Sequence, residues 1–256
     1  MYDLELLGGG RMAEALLGGL LASGSVRAAD VAVVEVSPAR RDELAGRFPG
    51  VTVLDEPAAA AGVVVATKPG DVAAAVRQAC DAGLQRLLSI AAGVGTAGPG
   101  VPVVRAMPNT PALVGAGASA ICAGSAATDA DLDWAEGLLD AVGTVVRVPE
   151  RLMDVVTGLS GSGPAYLFLV AEAMIEAGVL GGLPRATADA LVRQTLLGSA
   201  RLLAEGGEGP EALRAAVTSP GGTTAAGLHV LEAHAVRAAL ADAVAAAASR
   251  SAELDT

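Results

Sequence analysis

Leu4-Glu5-Leu6-Leu7-Gly8-Gly9-Gly10-Arg11-Met12-Ala13 joins a short apolar run to a glycine turn and leads into a helix expected over Met12 to Ser23. The turn fits G-x-G-x-x-A. In that fingerprint the first glycine makes the turn, the second lets backbone approach a pyrophosphate, and the third small residue lets helix pack on strand. It needs a strand before it and a helix after it, and both are present. A purely structural glycine turn is the alternative. Val31 to Val34 reads as a second strand ending at Glu35, about 20 residues past the glycines, where an acid binds the adenosine ribose hydroxyls.

Glu35 favours an unphosphorylated ribose, whereas Ser37, Arg40 and Arg41 are placed to contact a 2′-phosphate. The arginines fit a solvated helix face equally well. Further strands are expected over Val51 to Leu54, Val63 to Thr67, Leu87 to Ile90 and Val101 to Arg105, with helical segments such as Asp71 to Ala82 between them. That alternation predicts a doubly wound parallel sheet. Ligands of such sheets lie beyond the carboxyl ends of the strands, where Thr67-Lys68-Pro69 and Ala106-Met107-Pro108-Asn109-Thr110-Pro111 fall. Lys68 as a surface lysine and Asn109 as a turn residue between prolines are the plain readings.

A last strand is expected at Gly143 to Val148, and from Glu150 the chain reads as helix after helix. The expected domains are therefore 1–150, a Rossmann-type dinucleotide-binding domain, and 151–256, all helical. Ala165 to Ala177 is apolar on every face except the one carrying Glu172 and Glu176, which predicts a helix buried on all sides with one wall supplied by a partner subunit. Pro184 to Ala204 is amphipathic. Later, Ser219-Pro220-Gly221-Gly222-Thr223-Thr224 combines a Pro-Gly turn with the start of a helix through Leu228 and Leu231. Uncovered N–H groups there suit a carboxylate, with hydroxyls to orient it or pass a proton. A Pro-Gly turn with a threonine N-cap is the alternative.

The 256 residues carry a net charge of −11, which argues against nucleic acid or an anionic membrane as partner. Cys80 and Cys122 have no metal spacing and read as buried apolar cysteines. His229 and His234 lack the spacing and carboxylate partner of a metal pair and read as core or cap residues, so no metal is expected. Met1 to Gly8 has no basic region or apolar core of a signal peptide, and no uninterrupted apolar run of about 18 residues occurs, so a cytoplasmic protein without a membrane span is expected.

Five motifs together resemble the pyrroline-5-carboxylate reductase family over almost the whole chain. They are Gly8 to Ala13 with Glu14-Ala15-Leu16, Thr67-Lys68-Pro69, Arg105 to Pro111, Gly161-Ser162-Gly163-Pro164-Ala165-Tyr166, and Ser219 to Thr224 with Leu228-His229-Val230-Leu231-Glu232. The resemblance implies reduction of 1-pyrroline-5-carboxylate to L-proline with NADPH or NADH, and a Rossmann domain followed by an all-helical dimerisation domain. It also implies a homodimer or larger oligomer whose sites lie between the first domain of one subunit and the Ser219 to Thr224 loop of its neighbour. By similarity, Gly8, Gly10, Arg11 and Met12 lie along the dinucleotide, with Ala66, Thr67, Lys68 and Asn109 towards the nicotinamide. Ser219, Gly221, Gly222 and Thr223 hold the substrate carboxylate, and Thr224 hydrogen-bonds the ring nitrogen. The chain departs from the family's usual pattern twice. Arg11 stands where asparagine is usual, and Glu35-Val36 precedes Ser37 where polar residues such as Asn, Ser or Arg are frequent.

Overall fold

The structure is a computed structural model describing residues 1–91 and 100–254. By its internal contacts the chain divides into two units, 1–162 together with the chain from 244 onward, and 163–243. The first unit begins with β1 (Tyr2–Leu7), α1 (Arg11–Ser23), β2 (Val31–Val34), α2 (Pro38–Arg47), β3 (Thr52–Leu54), β4 (Ala60–Val65), α3 (Val72–Ala82), β5 (Arg86–Ser89) and β6 (Val103–Met107). It continues with β7 (Gly117–Ala123), α4 (Asp129–Leu139), β8 (Gly143–Arg147) and the short α5 (Met153–Val156). All eight strands form one sheet, ordered β3-β2-β1-β4-β5-β6-β7-β8.

The first six strands are parallel. Their connections run outward in opposite directions from β1, so a crevice opens where β1 and β4 end side by side, the usual ligand position in such sheets. Both faces of the sheet are covered, which is why Leu4 to Leu7 is a continuous buried run. On one face, Ala13, Leu16, Leu17 and Leu20 of α1 form a helical stripe against Leu4, Leu6, Val33 and Leu88. On the other, Val72, Val76 and Ala79 of α3 pack on Leu7, Val63 and Val65. Gly24 ends α1 in the left-handed conformation, φ 72°, and its N–H reaches the carbonyls of Leu20 and Leu21. Trp134 of α4 lies flat enough against Gly62 that any Cβ there would collide with its ring, and the Arg86 guanidinium stands 4.4 Å from the ring centroid.

The parallel sheet expected from the alternating strands carries an antiparallel step at its far edge. β7 runs antiparallel to β6, and β8 is parallel to β7. Only residues 108–116 link β6 to β7, and they contain a 3-10 turn over Thr110–Val114. A parallel return needs a crossover of roughly a dozen residues or more, so this link forces the chain back on itself.

The second unit is helical: α6 (Gly163–Leu180), α7 (Arg185–Glu205), α8 (Pro210–Ala216), α9 (Thr223–Ala233) and the first part of α10 (Val236–Leu254). Gly178 allows α6 to approach α7, since a Cβ there would meet that of Ala188 at 3.1 Å. The expected buried helix is not buried within one chain. Leu167, Phe168 and Leu169 of α6 are 61%, 64% and 65% exposed.

By internal contacts the first unit extends past residue 150. The turn Thr157–Gly161 is a wide π-type turn, and the end of α10 crosses it so closely that a Cβ at Gly158 would collide with the Val244 carbonyl. Ser251 then donates to Asp154 at 2.8 Å, joining the last helix to α5 within the first unit.

Glu5 of β1 has no exposed surface; its Oε1 accepts from the Ala58 N–H at 2.8 Å, and its Oε2 has no partner. Burial pushes its carboxyl above the ordinary value of 4.5, opposed by the Ala58 bond. A raised native value means the folded state holds the proton more tightly than the unfolded one. The stability from Glu5 is therefore complete at low pH and is lost as pH rises through the native value. Glu5→Gln, which keeps the acceptor, should raise stability at neutral and alkaline pH by about 1–3 kcal/mol and flatten the pH profile of Tm. An unchanged profile in the variant would remove Glu5 as its source.

Candidate active site

The carboxyl ends of β1, β2 and β4 open into a cleft of about 550 Å³ lined by Gly8, Gly10, Glu35, Asp55, Thr67 and Lys68. Each glycine of the turn has its own reason to be there. Gly8 takes φ +97° and sits where a Cβ would lie 3.0 Å from the Ala66 carbonyl oxygen, so the turn and β4 touch backbone to backbone. Gly9 is buried, and a Cβ on it would collide with Leu44. Gly10 has nothing within 4 Å of a Cβ position, so packing does not require glycine there.

Gly10 is the N-cap of α1 and makes no side-chain capping bond, while the Glu14 N–H makes the first turn of the helix with the Gly10 carbonyl at 2.9 Å. The N–H groups of Arg11, Met12 and Ala13 precede that bond and are the helix's anion-seeking end. Arg11 is exposed at the first helical position, Met12 is half-buried, and Ala13 packs into the core as the fingerprint requires. Ala66 is half-buried and donates its N–H to Leu7 at 2.8 Å. Beside it the Thr67 hydroxyl is buried without a partner, and Lys68 is exposed on the same wall. An open glycine, an uncapped helix end and an unpaired hydroxyl in one crevice fit a dinucleotide diphosphate.

Asn109 is only 9% exposed and both ends of its amide are engaged. Its nitrogen donates to the Ser160 carbonyl at 3.0 Å and its oxygen accepts from the Ala118 N–H at 2.9 Å. It ties the end of β6 to the start of β7 and to the π-type turn. Glu35 and Ser37 meet at the rim of the cleft, where the Ser37 N–H donates to Glu35 Oε1 at 2.9 Å. Glu14 supports the rim from outside the cleft, a role that sequence reasoning did not give it. It appeared only within a motif, whereas its carboxylate pairs with Arg40 at 2.6 Å and also with Arg47.

In the second unit, Ser219 to Gly222 forms a tight turn closed by the Gly222 N–H on the Ser219 carbonyl at 3.0 Å. Gly221 supplies the positive φ, +68°. A Cβ at Gly222 would collide with the Ser219 hydroxyl. The N-cap of α9 is Gly222, not a threonine, and it makes no side-chain capping bond. Thr223 and Thr224 thus occupy the first two helical positions, Thr223 exposed and Thr224 half-buried, with backbone N–H groups ahead of the first intrahelical bond from Ala226 to Gly222. Arrayed N–H groups and hydroxyls suit a carboxylate. Of the other singled-out residues, His234 is the C-cap of α9, His229 is exposed, and Cys80 is half-buried. Cys122 is buried, and burial together with Glu150 pushes its thiol up to about 11.

Residues 150–254 match the family model for pyrroline-5-carboxylate reductase dimerisation, and residues 3–94 match a model described as NADP oxidoreductase, coenzyme F420-dependent. A pyrroline-5-carboxylate reductase of Synechocystis is 45% identical over 98% of this chain and 98% of its own length. The chain belongs to the pyrroline-5-carboxylate reductase family. The solved reductase of Coxiella burnetii superposes on the whole chain, and on 99% of its own, with a TM-score of 0.92 at 34% identity. That of Plasmodium falciparum, solved with NADP bound, does so over 100% and 98% with a TM-score of 0.85 at 27% identity. The second unit thus lies in the reductase dimerisation region, and the first carries the family's nicotinamide-dinucleotide fold.

The two neighbouring glycines separate folding from binding. Gly9→Ala should cost about 1–3 kcal/mol of stability through overpacking against Leu44. Gly10→Ala should change stability by less than about 1 kcal/mol yet weaken NADH binding, because its methyl enters the cleft. Thermal unfolding and NADH titration of both variants check this. A Gly10→Ala protein with unaltered NADH affinity would take residue 10 away from the diphosphate.

Proposed function

We infer that the chain reduces 1-pyrroline-5-carboxylate to L-proline with NADH or NADPH, the last step of proline synthesis. The likeness to reductases over its full length, with both halves of the site intact, supports this reading most. Residues 1–150 hold the dinucleotide, and 151–256 hold the substrate and the dimer contact. Gly8, Gly10, Arg11 and Met12 receive the diphosphate at the start of α1, Glu35 and Ser37 meet the adenosine ribose, and Ala66, Thr67, Lys68 and Asn109 flank the nicotinamide end. The reduced nicotinamide supplies the hydride when bound.

The rest is orientation and electrostatics. Ser219, Gly221, Gly222 and Thr223 hold the substrate carboxylate through hydroxyl and backbone donors, which fixes the ring in one pose. Thr224 hydrogen-bonds the ring nitrogen and keeps the proton located there as the carbon is reduced. No side-chain nucleophile takes part. In this reading, purified protein given the cyclic imine oxidises NADH or NADPH. Thr224→Ala should lower kcat/KM for the imine by the equivalent of about 2–4 kcal/mol while leaving dinucleotide affinity nearly unchanged. Equal losses in both would mean that the variant has disturbed α9 rather than the nitrogen contact.

A second copy of the chain covers α6. The segment Glu150–Leu180 is long and apolar enough to cross a membrane, and its apolar stretch is not buried within one chain. Glu172 and Glu176 interrupt that surface and the segment lies in the reductase dimerisation region, both of which favour a protein partner over lipid. The enzyme works in the cytoplasm as a homodimer or a larger assembly of dimers, and its charge of −11 gives it no use for nucleic acid.

Each site is shared, with the cleft from one subunit and the Ser219 to Thr224 loop from the other. Gly10→Trp blocks the cleft at a position where the fold has room, and Thr224→Ala disables the loop. Co-refolding the two variants should restore part of the activity, because a mixed dimer contains one undamaged site. No recovery, with subunit exchange confirmed by differently tagged chains, would place each site within a single chain.

A further inference from the structure

Resting on the dinucleotide reading of the cleft, we propose that Glu35 makes this chain select NADH over NADPH, because its carboxylate stands at the ribose end of the cleft and the neighbouring Arg40 and Arg41 are engaged by other partners. Glu35 itself is pinned by two backbone donors. Oε2 accepts from the Gly9 N–H at 3.0 Å and Oε1 from the Ser37 N–H at 2.9 Å. A carboxylate oxygen has two lone pairs, so each keeps one for a further donor. Two acceptors side by side match the vicinal 2′- and 3′-hydroxyls of an unphosphorylated ribose, which bring two donors. A 2′-phosphate brings acceptors and negative charge instead, and like charges at close range reject a ligand strongly. Asp55 lines the same cleft and adds to that field.

The two arginines that sequence offered as phosphate ligands have other partners in the fold. Arg40 uses Nε on the Gly9 carbonyl at 2.9 Å, Nη1 on Glu43 at 2.9 Å and Nη2 on Glu14 at 2.6 Å. All three of its nitrogens have acceptors, two of them carboxylates. Arg41 gives Nη1 to the carbonyls of Glu35 and Val36, at 2.9 and 3.0 Å. The Ser37 N–H is taken by Glu35, and the Ser37 hydroxyl caps α2 by accepting from the Arg40 N–H. A 2′-phosphate would therefore compete with these partners for the two guanidinium groups.

Equilibrium titration of purified protein with NADH and with NADPH tests this without turnover, and adenosine 5′-diphosphate against its 2′-phosphorylated counterpart isolates the adenosine end. NADH should bind about tenfold more tightly or better. Glu35→Ser should shrink that ratio by about tenfold or more, mainly by tightening NADPH, and Glu35→Gln, which keeps an acceptor for Ser37, should move it the same way. Arg41→Ala should leave NADPH affinity unchanged. NADPH binding as tightly as NADH, a ratio unmoved in both Glu35 variants, or NADPH weakened in Arg41→Ala would each overturn the proposal while the reductase assignment stands. Failure of the folded protein to bind either dinucleotide would overturn it together with the reading of the cleft.

Discussion

The backbone contact between Gly8 and Ala66 is the constraint on which the first unit depends. Two parallel strands, β1 and β4, end beside each other, and the chain leaving β1 must turn without a side chain because a carbonyl occupies the space. That turn aims α1 across the sheet with Ala13 inward and leaves the uncapped end of α1 over the crevice. One steric requirement therefore fixes the helix packing and the position of the uncapped helix start together. The same closeness repeats at Gly9, whose missing side chain makes room for Leu44 of α2 and brings Glu35 within reach of its N–H.

Much of this was legible in sequence because glycine spacing and buried β-branched runs are local signals. The glycine turn, the strand ending at Glu35 and the positive φ at Gly221 follow from residues adjacent in the chain. β7 was not legible. Gly117-Ala118-Ser119-Ala120 has little strand propensity of its own, and these residues are extended because β6 and β8 hold them on either side. The return of α10 to the first unit was equally hidden, since it rests on a close approach at Gly158 and a serine–aspartate bond whose partners are separated in sequence by the whole second unit.

At the candidate site, sequence named residues and left their hydrogen-bond partners open. Arg40 and Arg41 read equally as phosphate ligands or as a solvated face, and the fold gives both of them partners within the first unit. Arg40 is held by Glu14 and Glu43, residues whose role depends on how α1 and α2 meet. Asn109 shows the same gap. Its place between prolines was clear, but the partners at Ala118 and Ser160 come from elements that only the fold brings together. For the loop in the second unit, a threonine N-cap was a fair local reading until Gly222 took the capping position and moved both threonines into the helix.

The single tryptophan, seated on Gly62 with Arg86 over its ring, gives the protein a built-in optical asymmetry. All indole emission comes from α4 against the sheet, in the first unit. Helical ellipticity, in contrast, arises in both units. Denaturation followed by the two signals will coincide if the units melt together and separate if they do not, so the natural sequence already carries the probe needed to measure their cooperativity.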